Sequence, residues 1–161
     1  MTKTTRIALA ACAVGLLPGA ALAQEASDAS VDAGTQLSLG EKRELANWRE
    51  NIETNRLLAD IRDDYGHPLE VTVDEAMVKP FNEAGLPGYT YCADAISGLY
   101  AMMQDEIARA GIKEGVTALR CTAGPGTEEF ALEGGTLTFD ADPETTANVS
   151  DTLQAFLNAN L

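Results

Sequence analysis

The sequence is poor in basic residues, and this shortage restricts its partners. It has 11 Lys and Arg residues against 25 Asp and Glu, and its formal net charge is −14. Phosphate binding needs a concentrated basic surface, so we expect no nucleic-acid partner, and the same charge disfavours anionic membranes. Any macromolecular partner is therefore expected to be a basic protein or peptide in the cell envelope, although solubility alone would also explain the charge.

The sequence also lacks the common catalytic and cofactor motifs. It has no Cys-x-x-Cys, which argues against a thiol oxidoreductase or a zinc knuckle. Ser97 lies outside any Gly-x-Ser-x-Gly elbow, and the glycine-rich turns are not followed by the Lys-Ser or Lys-Thr of a phosphate loop. His67 is the single histidine and has no nucleophile signalled beside it. We therefore expect no cofactor and identify no catalytic residue.

Long apolar runs are absent except at the beginning of the sequence. Lys3 and Arg6 precede an uncharged apolar run, residues 7–17, and Ala21-Leu22-Ala23 has the small-residue pattern of a cleavage site. These features predict a signal peptide over residues 1–23, cleaved after Ala23, and export to the periplasm. Leu9-Ala10-Ala11-Cys12 also resembles a lipoprotein cleavage motif, which leaves lipidation of Cys12 as an alternative. No later segment is apolar enough to predict a membrane span.

Cleavage after Ala23 would leave one domain with a single pair of cysteines. Residues 24–37 are mostly Ala, Ser, Asp, Gly and Thr, which predicts a flexible polar tail before a single domain over residues 38–161. Two cysteines in an oxidising compartment allow one pairing, so Cys92 and Cys121 are predicted to form a disulfide. The alternative is that Cys92, near a helix start, is a reactive thiolate.

The first half of the domain is predicted to form a helix and then a strand. The capping-box pattern that begins at Ser38 predicts a helix reaching Tyr65, with a break near Thr54 as one reading of its shifting apolar face. Residues 69–73 alternate as in a strand with one wet face, and a short helical turn ended by Pro80 follows. A connecting loop is predicted over residues 80–89.

The second half is predicted to contain two helices and three strands. Apolar residues recur at steps of three and four from Cys92 to Ala110, which predicts one amphipathic helix. A strand over 116–123 is followed by a hairpin in which Gly134-Gly135 forms the turn, and by a last helix that opens at Asp142. These elements predict a two-layer α+β domain, with a mainly antiparallel, three- to four-stranded sheet and helices packed on one face.

One acidic row could hold a metal ion. Spacings of three, four and seven would place Asp60, Asp63, Asp64 and His67 on one helix face. That face lies opposite the apolar Leu58 and Ile61, and Gly66 is expected to end the helix before His67 joins the row. We therefore predict a solvated face and no metal site.

With no catalytic motif retained, the sequence favours a small, exported, acidic and disulfide-bonded binding or inhibitory module that is not an enzyme. Two alternatives stay open: a small hydrolase that uses carboxylates, and an accessory subunit of an envelope complex. A deep pocket with convergent polar groups would favour the hydrolase, and a broad exposed apolar patch would favour the accessory subunit.

Overall fold

The computed structural model describes residues 36–124, 129–144 and 148–161. The predicted signal peptide and nearly all of the predicted tail lie outside these residues. The helices are α1 (Leu39–Glu53), α2 (Arg56–Asp63), α3 (Val78–Glu83), α4 (Tyr89–Met103), α5 (Glu106–Gly115) and α6 (Val149–Asn160), with a 3-10 turn at Glu75–Met77. The strands are β1 (Glu70–Val73), β2 (Ala118–Thr122), β3 (Glu129–Glu133) and β4 (Thr136–Asp140).

The predicted first helix is two helices. Ser38 begins α1 with the predicted capping box: its hydroxyl accepts from the Glu41 N–H, and the Glu41 carboxylate accepts from the Ser38 N–H. The chain leaves the helix at Thr54, and the Asn55 side chain accepts hydrogen bonds from the first amides of α2. The break that the shift of the apolar face suggested near Thr54 is therefore present, and Gly66 (φ 58°) follows the end of α2.

The sheet is mixed, so the mainly antiparallel arrangement predicted for it is wrong. The strand order is β1-β2-β4-β3, in which β1, β2 and β4 are parallel and only β3 is antiparallel to its neighbour β4. Three helices separate β1 from β2 along the chain, which is the long crossover that parallel pairing requires. The α+β class and the helices packed on the sheet are confirmed.

The hairpin of β3 and β4 has the predicted register. Leu132 pairs with Leu137 and Phe130 pairs with Phe139. The turn consists of Gly134 and Gly135, whose φ angles of 55° and 84° lie in the region that suits glycine and a two-residue hairpin. The rings of Phe130 and Phe139 stack with centroids 4.7 Å apart.

Two helix predictions are wrong in the middle of the chain. Pro80 lies within α3 and does not end it, because a proline in the first turn replaces an N–H that needs no helical partner. The helix predicted from Cys92 to Ala110 is divided into α4 and α5, since the Asp105 side chain accepts from the amides of Ile107 and Ala108 and begins a new helix. Ile107, which lies on the apolar face of that predicted helix, is consequently 85% exposed.

The last helix begins later than predicted. Asp142 accepts a hydrogen bond from the Glu144 N–H in a turn, and α6 begins at Val149, capped by the Asn148 side chain. Val149, Leu153 and Leu157 are its buried residues.

The core lies between the helices and one face of the sheet. Val73, Leu119 and Phe139 of β1, β2 and β4 are buried there, together with the apolar sides of the helices. Cys92 of α4 and Cys121 of β2, the pair predicted from the sequence, are at disulfide distance, with Sγ atoms 2.04 Å apart and both residues fully buried. Among the described residues, no helix is both long and apolar enough to cross a membrane.

Candidate binding surface

The sheet has a second face, the open face, on which none of the described side chains is buried. Because side chains alternate along a strand, the residues between the core positions point to this side. The strand registers align them in three rows across β1, β2, β4 and β3. The open face consists of Glu70, Thr72, Ala118, Arg120, Thr122, Thr136, Thr138, Asp140, Glu129, Ala131 and Glu133.

The open face is acidic and rich in threonine. It carries four carboxylates and one cation, and the cation, Arg120, forms an ion pair with Asp74 just beyond the end of β1. The ion pair neutralises the positive charge of Arg120, so the remaining charged groups of the face are carboxylates and its threonines add neutral hydroxyls. A surface of this kind is suited to a cationic partner.

Asp74 is held in its ionised form. Its partial burial acts to raise the pKa of the carboxyl, but the hydrogen bond from the Ala76 N–H and the pairing with Arg120 outweigh burial, and the pKa is lowered. Arg49 contributes further positive potential. Asp74 is therefore ionised at neutral pH, at the carboxyl end of β1.

Asp140 has the opposite electrostatic setting. Partial burial raises the pKa of its carboxyl, and the facing charge of Glu129 raises it further, against the lowering effect of a hydrogen bond from the Gly124 N–H. Its Oδ1 atom is buried without a hydrogen-bond partner within the described part of the chain. A Cβ at position 124 would collide with this carboxylate, so the close approach requires glycine.

Asp74 and Asp140 lie toward the same end of the strands. The carboxyl ends of the parallel strands meet there, and α/β sheets commonly bind their ligands at this end. Asp74 follows β1 and Asp140 ends β4, with β2 between these strands. At a strand spacing of about 4.8 Å, the two positions are about 10 Å apart.

Two shallow grooves open on the described surface. The first, of about 260 Å³, lies between α1 and β1 and is lined by Arg49, Ile52, Glu53, Val71, Thr72 and Val73. The second, of about 330 Å³, lies between α5 and α6 beside the exposed Ile107 and Leu161. Sites for drug-sized ligands occupy about 300–1,000 Å³, so the first groove is smaller than this range and the second is at its lower end.

The predicted acidic row is not brought together with His67. Asp63 and Asp64 are exposed, and Asp60 is half-buried, whereas the His67 side chain is 4% exposed and belongs to the interior. Within residues 36–124, 129–144 and 148–161, no three His, Cys, Asp or Glu side chains are placed to hold a metal ion. The interpretation of this row as a solvated face stays a prediction, which metal titration in solution can test.

His67 is held as a neutral imidazole. Burial lowers its pKa, the hydrogen bond with the Val116 backbone raises it, and the nearby Lys113 lowers it, with a net lowering. Its Nε2 atom is buried and has no hydrogen-bond partner among the described residues. This single histidine is thus a buried residue of the interior.

Sequence reasoning did not identify Asp140 or Arg120 as site residues. The hairpin register did contain a signal for Asp140, because extending the pairing of Phe130 with Phe139 by one residue places Asp140 opposite Glu129. For Arg120 the sequence contains no comparable signal, since its partner Asp74 is 46 residues away.

Comparison of the chain with protein-family models, curated proteins and solved structures finds no match.

Proposed function

We propose that the protein is exported to the periplasm and acts there as a small, non-enzymatic binding or inhibitory module for a basic protein or peptide. Removal of residues 1–23 as a signal peptide would leave 9 of the 11 basic residues and all 25 acidic residues, a net charge of −16. The buried Cys92–Cys121 pair is compatible with an oxidising compartment.

The acidity of the open face is the observation that supports this proposal. Glu70, Glu129, Glu133 and Asp140 are spread over three of its four strands, and its single cation is already paired. An open sheet face suits a macromolecule better than a small molecule, because small ligands need a concave site that encloses them. Complementary charge would speed the encounter with a cationic partner and fix its orientation.

Charge reversal on the open face tests the proposal. A pull-down from envelope extract supplies the partner, and the association rate is then measured against ionic strength. Glu70→Lys/Glu133→Lys is expected to slow association about tenfold or more at low salt, because electrostatic steering accounts for factors of about 10 to 1,000 in association rate. The difference should shrink as salt screens charges beyond the Debye length of about 8 Å at physiological ionic strength.

Glu83→Lys/Glu114→Lys is the matched control, since both residues are exposed on helices away from the open face. An equal loss in the control variant would contradict the assignment to the open face. An association rate that does not depend on salt, or a partner as acidic as this protein, would contradict the proposal. The negative charge would then serve only to keep the protein soluble.

A carboxylate-dependent hydrolase is the second candidate. It is favoured by Asp74 and Asp140, which lie at the carboxyl end of the parallel strands. Their environments shift their pKa values in opposite directions. Such a divergence is typical of a carboxylate that stays ionised beside a carboxyl that donates a proton. Hydrolysis of a panel of ester, glycoside and phosphoester substrates, abolished by Asp140→Asn without loss of folding, would favour the hydrolase over the binding module.

A further inference from the structure

The outer edge of β1 carries backbone groups that the sheet does not use. The N–H groups of Glu70 and Asp74 donate to the carbonyl groups of Thr117 and Cys121, on the side of β2. Because peptide groups alternate in direction along a strand, those of Val71 and Val73 point away from β2, toward the edge. No described strand pairs with β1 on that side.

Two arginines cover the carbonyl groups at the ends of this edge. Arg49 of α1 donates from Nε and Nη2 to the Val73 carbonyl at 3.2 and 3.0 Å, and Arg62 of α2 donates from Nε to the Leu69 carbonyl at 3.0 Å. Between them lie the N–H and C=O of Val71 and the N–H of Val73. None of the described residues outside β1 forms a hydrogen bond with these three groups.

The groove of about 260 Å³ runs beside these three groups. Its opposite wall is α1, which contributes the buried Ile52 together with Arg49 and Glu53. The volume is too small for a drug-sized ligand, and the wall of α1 restricts access for a folded domain. It suits a short stretch of extended chain, with one apolar side chain placed against Ile52.

We propose that this edge binds the C-terminal segment of a partner polypeptide, which adds to the sheet as a short strand parallel to β1. The last residue would donate its N–H to the Val71 carbonyl, and its terminal carboxylate would accept from the Val73 N–H and from the Arg49 guanidinium. The residue two positions earlier would accept from the Val71 N–H. Strand addition of this kind combines backbone hydrogen bonds with capture of a terminal carboxylate.

The two arginines differ in a way that sets the direction of the added strand. Arg62 is already engaged by Glu53, with Nη1 and Oε2 2.8 Å apart. Arg49 is exposed, and its described hydrogen bonds go only to the Val73 carbonyl, so it has donors left for a carboxylate. The anionic end of the peptide should therefore lie at the Val73 end, which makes the added strand parallel.

A terminal carboxylate also fits the charge of the protein better than a second copy of the chain does. A basic polypeptide still ends in one carboxylate, so binding at this edge is compatible with a cationic partner. A second copy would bring another net charge of −14 to this edge. Repulsion between like charges opposes that arrangement.

The test follows backbone amide signals of isotope-labelled protein by NMR during titration with a hexapeptide, Lys-Lys-Thr-Val-Thr-Val, with a free carboxylate. β-Branched residues favour the strand conformation. Saturable shifts centred on the Val71 and Val73 amides are expected. The same peptide with an amidated C-terminus should bind at least about tenfold more weakly, because it lacks the charge-assisted hydrogen bonds.

Variants of the protein separate the contribution of the terminal carboxylate to affinity from that of the backbone hydrogen bonds. Arg49→Gln should weaken binding of the free peptide about tenfold or more and abolish its preference over the amide, whereas Arg43→Gln, an exposed arginine on the same helix, should change neither. Val71→Pro should abolish binding, because it removes an N–H that β2 does not use. Thermal unfolding shows whether each variant is folded.

Three outcomes of the peptide titration would overturn this proposal. They are equal affinity for the free and amidated peptides, shifts centred away from β1, and the absence of saturable shifts at millimolar peptide. Shifts at Val71 that depend on protein concentration without peptide would assign the edge to a second copy and also overturn it. Charge reversal at Glu70 and Glu133 tests the open face separately, so either proposal can fail alone.

Discussion

Removal of the Cys92–Cys121 cross-link should cost a large share of the stability of this domain. The two residues join α4 to the central part of the sheet and are 29 positions apart in the chain. The variant Cys92→Ala/Cys121→Ala keeps two small apolar side chains at these fully buried positions. Its main effect should therefore be on the unfolded chain, which gains the conformations that the cross-link forbids.

The magnitude follows from the length of the closed loop. In the chain-entropy model, a loop of about 29 residues corresponds to an entropy loss of about 12 cal/mol/K, or about 3.6 kcal/mol at 25 °C. Small domains have free energies of unfolding of about 5–15 kcal/mol, so the change is a quarter or more of the total. The two deleted sulfur atoms should add a smaller loss through reduced packing.

Urea unfolding followed by circular dichroism measures this change. The midpoint should fall, and the slope of the free energy with urea should rise, because an unfolded chain without a cross-link exposes more surface. The wild-type protein unfolded with a reductant is the control, since it lacks the cross-link but keeps both sulfur atoms. A loss below about 1 kcal/mol in both samples would refute the chain-entropy reasoning.

Three other substitutions test the interior and the open face. The folded-state pKa of His67 is below its ordinary value of 6.5, so the unfolded chain binds the proton first and the free energy of unfolding should fall as pH drops below that value. His67→Gln should flatten this dependence in urea titrations at several pH values, and an unchanged slope would contradict it. The folded-state pKa of Asp140 is instead raised, so its ionisation costs stability as pH rises through the folded-state pKa. Asp140→Asn should therefore raise the free energy of unfolding at pH 7 by about 0.5 kcal/mol, a gain lost below the ordinary pKa of 3.8, because it removes a carboxylate facing Glu129. A lower free energy of unfolding for Asp140→Asn at pH 7 would contradict this prediction. Gly88→Ala should cost about 1–3 kcal/mol by thermal unfolding, since its Cβ would lie 2.7 Å from the ring of the buried Trp48. Gly40→Ala, whose Cβ meets nothing closer than 3.8 Å in an exposed helix, should be neutral or stabilising, and an equal loss in both would argue against a clash.

Local interactions made several elements predictable from the sequence. The Ser38 capping box involves groups three residues apart, and the Gly134-Gly135 turn brings together strands that are adjacent in the chain. Each depends on backbone preferences and near neighbours, which the sequence displays directly. The cysteine pairing was predictable for a different reason, because removal of the predicted signal peptide with Cys12 would leave two cysteines, which allow one pairing.

The direction of the strands depended on tertiary packing. Whether β1 and β2 run parallel or antiparallel is set by how the intervening helices cross the sheet, and the period-2 pattern of a strand is the same in both cases. The break between α4 and α5 was missed for a related reason. The apolar period continues from Met103 to Ile107, and only the packed structure shows that α5 turns Ile112 inward and leaves Ile107 exposed.

The candidate sites were the least predictable part. The sequence by itself determined an acidic chain without catalytic motifs, the polar alternation along its strands and the Cys92–Cys121 pair. Tertiary structure decided that Arg120 meets Asp74, that Gly124 lies against Asp140 and that His67 is buried in the core. These contacts join residues far apart in the chain, so their charges and hydrogen bonds depend on strand order and helix crossing, which no local pattern encodes.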